Sequence, residues 1–260
     1  MVTFSKAGLM AALLLCGVVQ AAELQVIATG AVKGAFKQLI PAFEQASGHR
    51  VSIAWGPSYG TSADAIPTRL GRGDPADVLV MVGAALDDRI GDGQFNPATR
   101  ADVARSAIGV GVRQGAHRPD ISTPDAFKRA LLAAKTIGHS EGASGQYIAG
   151  TLFKQMGIAD QVASRIVIVH GKELVGNAIA RGDVELGLQQ VSELMVVPGV
   201  DYVGPLPESL QQNSVISAIV ASKPVQAEAA RAFVRFLATP DAAKTFAASG
   251  LLAVKPASPN

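Results

Sequence analysis

The chain has 260 residues, of which 48% are hydrophobic and 17% charged, and its 23 basic residues nearly balance its 21 acidic ones. A chain of this length buries a large core in one or two domains. Because the charge is near neutral and no long charge run occurs, we expect no nucleic-acid partner. The 4 histidines stand singly, without metal-ligand spacing, and we expect neither a metal site nor a cofactor.

The first 22 residues have the pattern of a secretory signal peptide. Lys6 precedes an apolar run over residues 7–19, and small residues follow at 21 and 22, where cleavage is expected. The run is too short for a good transmembrane span. The single cysteine, Cys16, lies in this segment, so the mature chain contains no disulfide. We therefore expect a soluble protein exported to the periplasm.

The first part of the mature chain alternates strand and helix patterns. A β-rich run at 24–28 precedes an amphipathic helix, and strands are predicted at 51–55 and 77–81 with a helix at about 62–70 between them. The apolar face of the first helix contains Val32, Phe36, Leu39, Ile40 and Phe43. The strand at 77–81 is almost continuously apolar, as in a parallel sheet covered on both faces. This order predicts a doubly wound α/β unit.

A second α/β unit is predicted after a strand at 107–112, because strand and helix patterns alternate again up to residue 188. A strand at 214–220 and two helices, 225–237 and 240–248, then pack most simply on the first unit. We therefore predict two lobes joined by two strands. Lobe 1 comprises residues 23–106 plus 215–260, and lobe 2 comprises residues 107–214.

The stretch TIGHSEGASGQYIAG, residues 136–150, is predicted to contain a strand end, a turn and a helix start. Such a junction directs unpaired backbone N–H groups and the positive end of a helix dipole at whatever lies in front of it. It is therefore a candidate anion site. An ordinary Ser/Gly-rich loop is the alternative.

Several motifs together resemble the periplasmic molybdate-binding proteins of ABC transporters. They are GPSYGT after the second strand, GRGDPAD at 71–77 before the third strand, and VGPLP at 203–207. The resemblance covers essentially the whole mature chain, and GRGDPADVLV is its most specific part. It implies a type II solute-binding fold, in which two lobes, each a mixed sheet flanked by helices, close on a small anion. It also implies a monomer that works with an ABC permease.

The resemblance also implies a set of ligand-binding positions. The family's first serine falls at about Thr29 or Gly30, where no serine stands, and its second is matched by Ser58. Tyr59 and Thr61 lie beside Ser58 on the same side of the cleft. In the second lobe the implied donors, at two helix starts and a strand end, are Ser140, Ser144, Gly145, Val175, Gln189 and Gln190.

Two of these positions depart from the molybdate-binding pattern, and the departure changes the expected ligand. The glutamines at 189 and 190 stand where the family has a tyrosine, and their amides offer acceptors as well as donors. They favour a carboxylate over a tetrahedral oxyanion. The HSEGASGQY loop and the two glutamines resemble the divergent branch that includes the periplasmic aconitate isomerases of pseudomonad-type bacteria.

Aconitate isomerisation requires a base near the CH₂ carbon and donors on the carboxylate that takes up charge. We favour Glu141 or His139 as the base because both lie on the predicted anion-binding loop. Lys172 and Lys33 are expected to pair with outer carboxylates. Each residue has a structural alternative, such as a buried hydrogen-bonding histidine or a solvated acid in a first helical turn.

Two functions follow from these residues. In the first, the cleft isomerises cis- and trans-aconitate by an allylic proton shift. In the second, the same cleft delivers an oxyanion or an organic carboxylate to a membrane permease without catalysis. A binding cleft becomes catalytic with one well-placed base, so fold and composition do not separate the two.

Overall fold

The structure is a computed structural model that describes residues 21–254. The predicted signal peptide, 1–22, lies almost entirely outside the described residues. The strands are β1 (Glu23–Ala28), β2 (Arg50–Trp55), β3 (Val78–Val82), β4 (Ala101–Ser106), β5 (Ile108–Arg113), β6 (Ile137–Ser140), β7 (Ile166–Val169), β8 (Leu186–Gln190), β9 (Val200–Pro205) and β10 (Ser214–Val220).

Helices connect these strands in the alternating order that the sequence predicts. They are α1 (Lys33–Ser47), α2 (Ile66–Gly71), α3 (Gly83–Ile90), α4 (Pro124–Ala133), α5 (Ala143–Tyr147), α6 (Phe153–Gln155), α7 (Ala159–Val162), α8 (Val175–Arg181), α9 (Val191–Met195), α10 (Ala227–Leu237) and α11 (Pro240–Ala248). A π-helical turn, Ile148–Leu152, makes α5 and α6 continuous.

Two mixed five-stranded sheets form the framework. The first has the order β2-β1-β3-β10-β4 and the second the order β7-β6-β8-β5-β9. In each sheet three parallel strands are followed by one antiparallel strand, β10 or β5, and by an edge strand. We call the first sheet with its helices lobe 1 and the second lobe 2. The predicted α/β fold with a mixed sheet in each lobe is confirmed.

Each lobe has its own buried core, and the core of lobe 1 contains a cluster of aromatic side chains. Phe36 of α1 lies between Trp55 of β2 and Phe233 of α10, with ring centroids 6.1 and 6.0 Å apart. Phe43 lies 4.9 Å from Phe233 in an edge-to-face arrangement. Such pairs add to the burial of their area. They attach helix α10, from the C-terminal part of the chain, to the rest of lobe 1.

Some elements differ from the sequence prediction. The helix expected at 62–70 begins at Ile66, because residues before it form a turn and Pro67, which lacks an N–H, occupies the first turn. Strands β4 and β9 were not predicted. Both lie at sheet edges, where partial exposure removes the apolar pattern that marks the central strands.

The chain crosses between the lobes at two places. Ala107 alone separates β4 of lobe 1 from β5 of lobe 2, and residues 206–213 connect β9 back to β10. The carboxyl ends of the parallel strands β1, β2, β6 and β8 face each other between the lobes. In open α/β sheets this edge is where ligands bind.

Candidate functional site

A cleft cavity lies between the lobes at these strand ends, with an empty volume of about 470 Å³ that includes its opening to solvent. Lobe 1 contributes Thr29, Gly30, Lys33, Trp55, Gly56, Pro57 and Ser58. Lobe 2 contributes Ser140, Gly142, Ala143, Ser144, Gly171, Lys172, Glu173, Leu174, Gln189, Gln190 and Glu193. Most of the residues predicted from the sequence therefore meet in one place.

On the lobe 1 side, Ser58 is held by the backbone at the end of β3. Its Oγ accepts a hydrogen bond from the N–H of Val82 at 3.0 Å, and the residue is 2% exposed. Because that bond occupies the oxygen as an acceptor, the hydroxyl hydrogen is free to be donated toward the cavity. Thr29, 3% exposed, lies beside it at the end of β1.

On the lobe 2 side, the turn after β6 gathers two buried hydroxyl groups. The Oγ atoms of Ser140 and Ser144 are 3.5 Å apart, and the N–H of Gly142 donates to Ser140 Oγ at 3.3 Å. Gly145 allows this close turn, because a methyl group there would overlap the carbonyl oxygen of Ser140. Gly145 thus shapes the loop without lining the cavity.

The two glutamines at the end of β8 are both buried and both line the cavity. Gln189 Oε1 accepts the N–H of Val175 at 2.7 Å, which places the Nε2 donors on the opposite side of the amide. The N–H of Val175, predicted to bind the ligand, therefore bonds to Gln189.

The cavity carries two lysines and two acidic groups. Lys33, the first residue of α1, has its Nζ 5.9 Å from the ring centroid of Trp55, and Lys172 lies on the opposite wall. Glu173 pairs with Arg181, its Oε1 2.6 Å from the guanidinium. Burial raises the pKa of Glu193 to about 8, against the opposing effects of the Gln189 hydrogen bond and Lys33. Near neutral pH the lysines therefore dominate the charge of the cleft.

The structure places neither predicted base on the cavity wall. Glu141 Oε1 accepts the N–H of Gly171 at 2.8 Å, and Oε2 lies 3.1 Å from His170 Nδ1. Although burial opposes it, the N–H of Gly171 and the neighbouring His170 hold the pKa of Glu141 below its ordinary value. His139 is 3% exposed, with its Nδ1 2.9 Å from the carbonyl oxygen of Ser140, and burial lowers its pKa.

Other predicted residues lie outside the cleft cavity. Tyr59 lines a neighbouring cavity on the far side of Ala143, and Thr61 is exposed.

Glu193 is a cavity residue that the sequence analysis did not predict. It lies in the first turn of α9, which begins directly after β8. Its neighbours Val191 and Leu194 are buried. The sequence does contain a signal for this buried carboxyl group. It is an acidic residue within an apolar helix start that directly follows a buried strand.

A sequence model for bacterial extracellular solute-binding proteins matches residues 24–252. The chain belongs to this family. A curated relative, an aconitate isomerase from a Pseudomonas species, is 43% identical over 236 residues, which are 91% of this chain and 89% of the relative. The resemblance to the molybdate-binding family and its isomerase branch is thereby confirmed.

Solved structures agree with the solute-binding fold. The periplasmic molybdate-binding protein of Azotobacter vinelandii superimposes with a TM-score of 0.72 at 19% identity, over 89% of this chain and 100% of that one. The sulfate-binding protein SubI of Mycobacterium tuberculosis gives 0.68 at 18% identity, over 90% and 88%. Within residues 21–254 no helix has the length and apolarity needed to cross a membrane.

Proposed function

We propose that this solute-binding protein is an aconitate isomerase, which interconverts trans- and cis-aconitate. The observation that carries the proposal is the 43% identity to an aconitate isomerase across 91% of the chain. The reaction shifts a proton from the CH₂ carbon to the opposite end of the allylic system. It needs binding groups for three carboxylates and one group that moves the proton.

The cleft cavity has the donors that a tricarboxylate needs. Lys33 and Lys172, on opposite walls, supply positive charge for two of the carboxylates. The hydroxyls of Ser58 and Ser144 and the amide of Gln190 supply neutral donors from both lobes. In a partly buried site these charge-assisted bonds orient the substrate as well as bind it.

The protein acts in the periplasm after removal of residues 1–22. The division into lobes at 106/107 and 214/215 defines the two bodies that close on the substrate, and the protein works as a monomer. Two observations support this proposal. The chain shares its fold with periplasmic binding proteins, and its N-terminus has the pattern of a signal peptide.

Incubation with trans-aconitate in D₂O, followed by proton NMR, tests the function. We expect cis-aconitate to form and the terminal carbons to take up deuterium, because the proton passes through a group of the protein. Purified protein that produces neither cis-aconitate nor deuterated substrate would contradict the isomerase proposal.

The double variant Ser58→Ala, Ser144→Ala tests whether the substrate binds in the cleft cavity. It removes one buried hydroxyl donor from each wall, so we expect binding and turnover to fall together. Unchanged affinity for trans-aconitate in calorimetry would show that the substrate binds elsewhere.

A receptor for an ABC permease is the second candidate, since the family as a whole is named for solute binding. The A. vinelandii structure is of a molybdate-binding protein. A receptor of that kind binds molybdate in calorimetry and leaves trans-aconitate unchanged. The isomerase proposal predicts the reverse, because the two lysines suit a polyanion with separated charges.

A further inference from the structure

A buried carboxyl group from α9 forms part of the cavity wall. Glu193 is 6% exposed and borders the cavity between Gln189 and Gly30. Asp77, the other acidic residue in the described chain with less than a tenth of its surface exposed, accepts backbone N–H bonds from Gln25 and Val225. Those bonds give Asp77 a structural role, whereas Glu193 lies among residues that also line the cavity.

The carboxyl group of Glu193 lies between residues of both lobes. On one side is Gln189, whose Oε1 accepts the N–H of Val175 at 2.7 Å and whose amide is close enough to lower the pKa of Glu193. On the other side Glu193 lies against Gly30 of lobe 1, where a methyl group would overlap Oε1. The absence of a side chain at Gly30 therefore leaves the space that the carboxylate occupies, at the join between the lobes.

We propose that Glu193 is the catalytic residue that carries the proton in the isomerisation. The inference rests on the proposed function. The carboxylate removes a proton from the CH₂ carbon of aconitate, and the C–H electron pair forms a double bond to the central carbon. The electron pair of the former double bond then takes a proton from the Glu193 carboxyl group at the opposite terminal carbon. That proton is either the one removed in the first step or one exchanged with solvent. The step is redox-neutral and needs no co-reactant.

One carboxyl group serves both ends of the shift because both terminal carbons flank the same central carbon. Lys33, whose charge acts on Glu193 from lobe 1, is placed to stabilise the negative charge that develops on a substrate carboxylate. The raised pKa of Glu193, about 8, makes its carboxylate a stronger base than an ordinary glutamate. Glu141, by contrast, has both carboxylate oxygens engaged outside the cavity wall.

The test is Glu193→Gln, which keeps the shape of the side chain and removes its ability to accept a proton. We expect kcat for trans-aconitate to fall about 10³-fold, within the range found for acid–base residues. The Kd in calorimetry at pH 7 should change less than about tenfold, because a neutral amide resembles the protonated carboxyl group. Glu193→Asp should restore part of the turnover.

Glu228→Gln on the exposed face of α10 is the matched control and should keep wild-type turnover. Circular dichroism and thermal unfolding confirm that each variant is folded. A Glu193→Gln variant that isomerises at the wild-type rate would overturn the assignment of Glu193 while leaving the isomerase proposal intact. Loss of turnover in Glu141→Gln with turnover kept in Glu193→Gln would assign the proton to Glu141. A wild-type protein with no isomerisation would overturn both proposals.

Discussion

Two glutamates near the cleft show how environment separates side chains of the same chemistry. Glu141 accepts hydrogen bonds from an N–H group and a histidine, and these bonds favour its charged form. Glu193 is surrounded by protein, and burial favours its neutral form. Pairs of carboxyl groups whose pKa values are shifted in opposite directions are typical of acid–base sites. The carboxyl group with the raised pKa, that of Glu193, lines the cavity.

The raised pKa of Glu193 also predicts how stability depends on pH. Between its ordinary value of 4.5 and about 8, the folded protein holds this proton and the unfolded chain does not, so the free energy of unfolding falls as pH rises. A tenfold change in the ionisation equilibrium corresponds to about 1.4 kcal/mol. Glu193→Gln removes the free-energy cost of ionising a buried carboxyl group. We expect the variant to gain stability relative to wild type by several kcal/mol between pH 5 and pH 9.

Urea unfolding at the two pH values measures this difference directly. Glu228→Gln is again the control, since that carboxyl group is exposed. An equal stability difference between wild type and Glu193→Gln at pH 5 and pH 9 would contradict a raised pKa. The measurement does not depend on any substrate, so it tests the environment of Glu193 apart from the reaction.

At the scale of elements, the turn from β6 into α5 builds its wall of the cavity by close backbone contact. A methyl group on Gly145 would overlap the carbonyl oxygen of Ser140, whereas one on Gly150, in the π-helical turn that follows, meets nothing within 4 Å. A glycine-to-alanine substitution therefore has opposite effects on stability at Gly145 and at Gly150, although both lie in one helical segment. The difference comes from tertiary packing and not from helix propensity.

We expect Gly145→Ala to destabilise the protein by roughly 2–4 kcal/mol and to weaken substrate binding, because the turn must open to make room. Gly150→Ala should be neutral or stabilising by up to about 1 kcal/mol, as alanine favours helix over glycine. Thermal unfolding and calorimetry with trans-aconitate measure both effects. Equal stability of the two variants would show that the turn is not constrained as the structure has it.

This turn was predictable from sequence because its signals are local. Small residues between an apolar strand end and a helical pattern indicated its position, and Ser140 and Ser144 do line the cavity. The direction of Glu141 was not predictable, since Gly171, distant in sequence, binds its carboxylate. Glu193 was missed for a related reason. Its burial depends on Gly30 from the other lobe, which no local pattern reveals.

For the whole molecule, the two lobes touch at the mouth of the cleft as well as inside it. Gly60 of lobe 1 has a φ of +105° and lies against Glu141 of lobe 2, so that a methyl group on it would be 2.7 Å from Glu141 Cδ. Nearby, a methyl group on Gly171 would be 3.4 Å from Asp64 Oδ2. The described conformation is thus a closed one in which these loops meet. Glu141 contributes to that contact instead of to the cavity wall.

Gly60→Ala tests whether closure and substrate binding are coupled. Gly73, with a φ of +80° and nothing within 4 Å of a methyl group, is the matched control because alanine strains the backbone at both positions. Only at Gly60 does the added methyl group also separate the lobes. A closed state made less favourable by about 1.4 kcal/mol lowers affinity tenfold, since binding requires that state.

We therefore expect calorimetry to give a Kd for trans-aconitate about tenfold weaker in Gly60→Ala than in Gly73→Ala. Small-angle scattering should show a larger radius of gyration for Gly60→Ala without substrate, and a return toward the closed value at saturation. Equal affinities in the two variants would mean that contact between Gly60 and Glu141 contributes nothing to closure. The cleft would then bind its substrate without bringing these loops together.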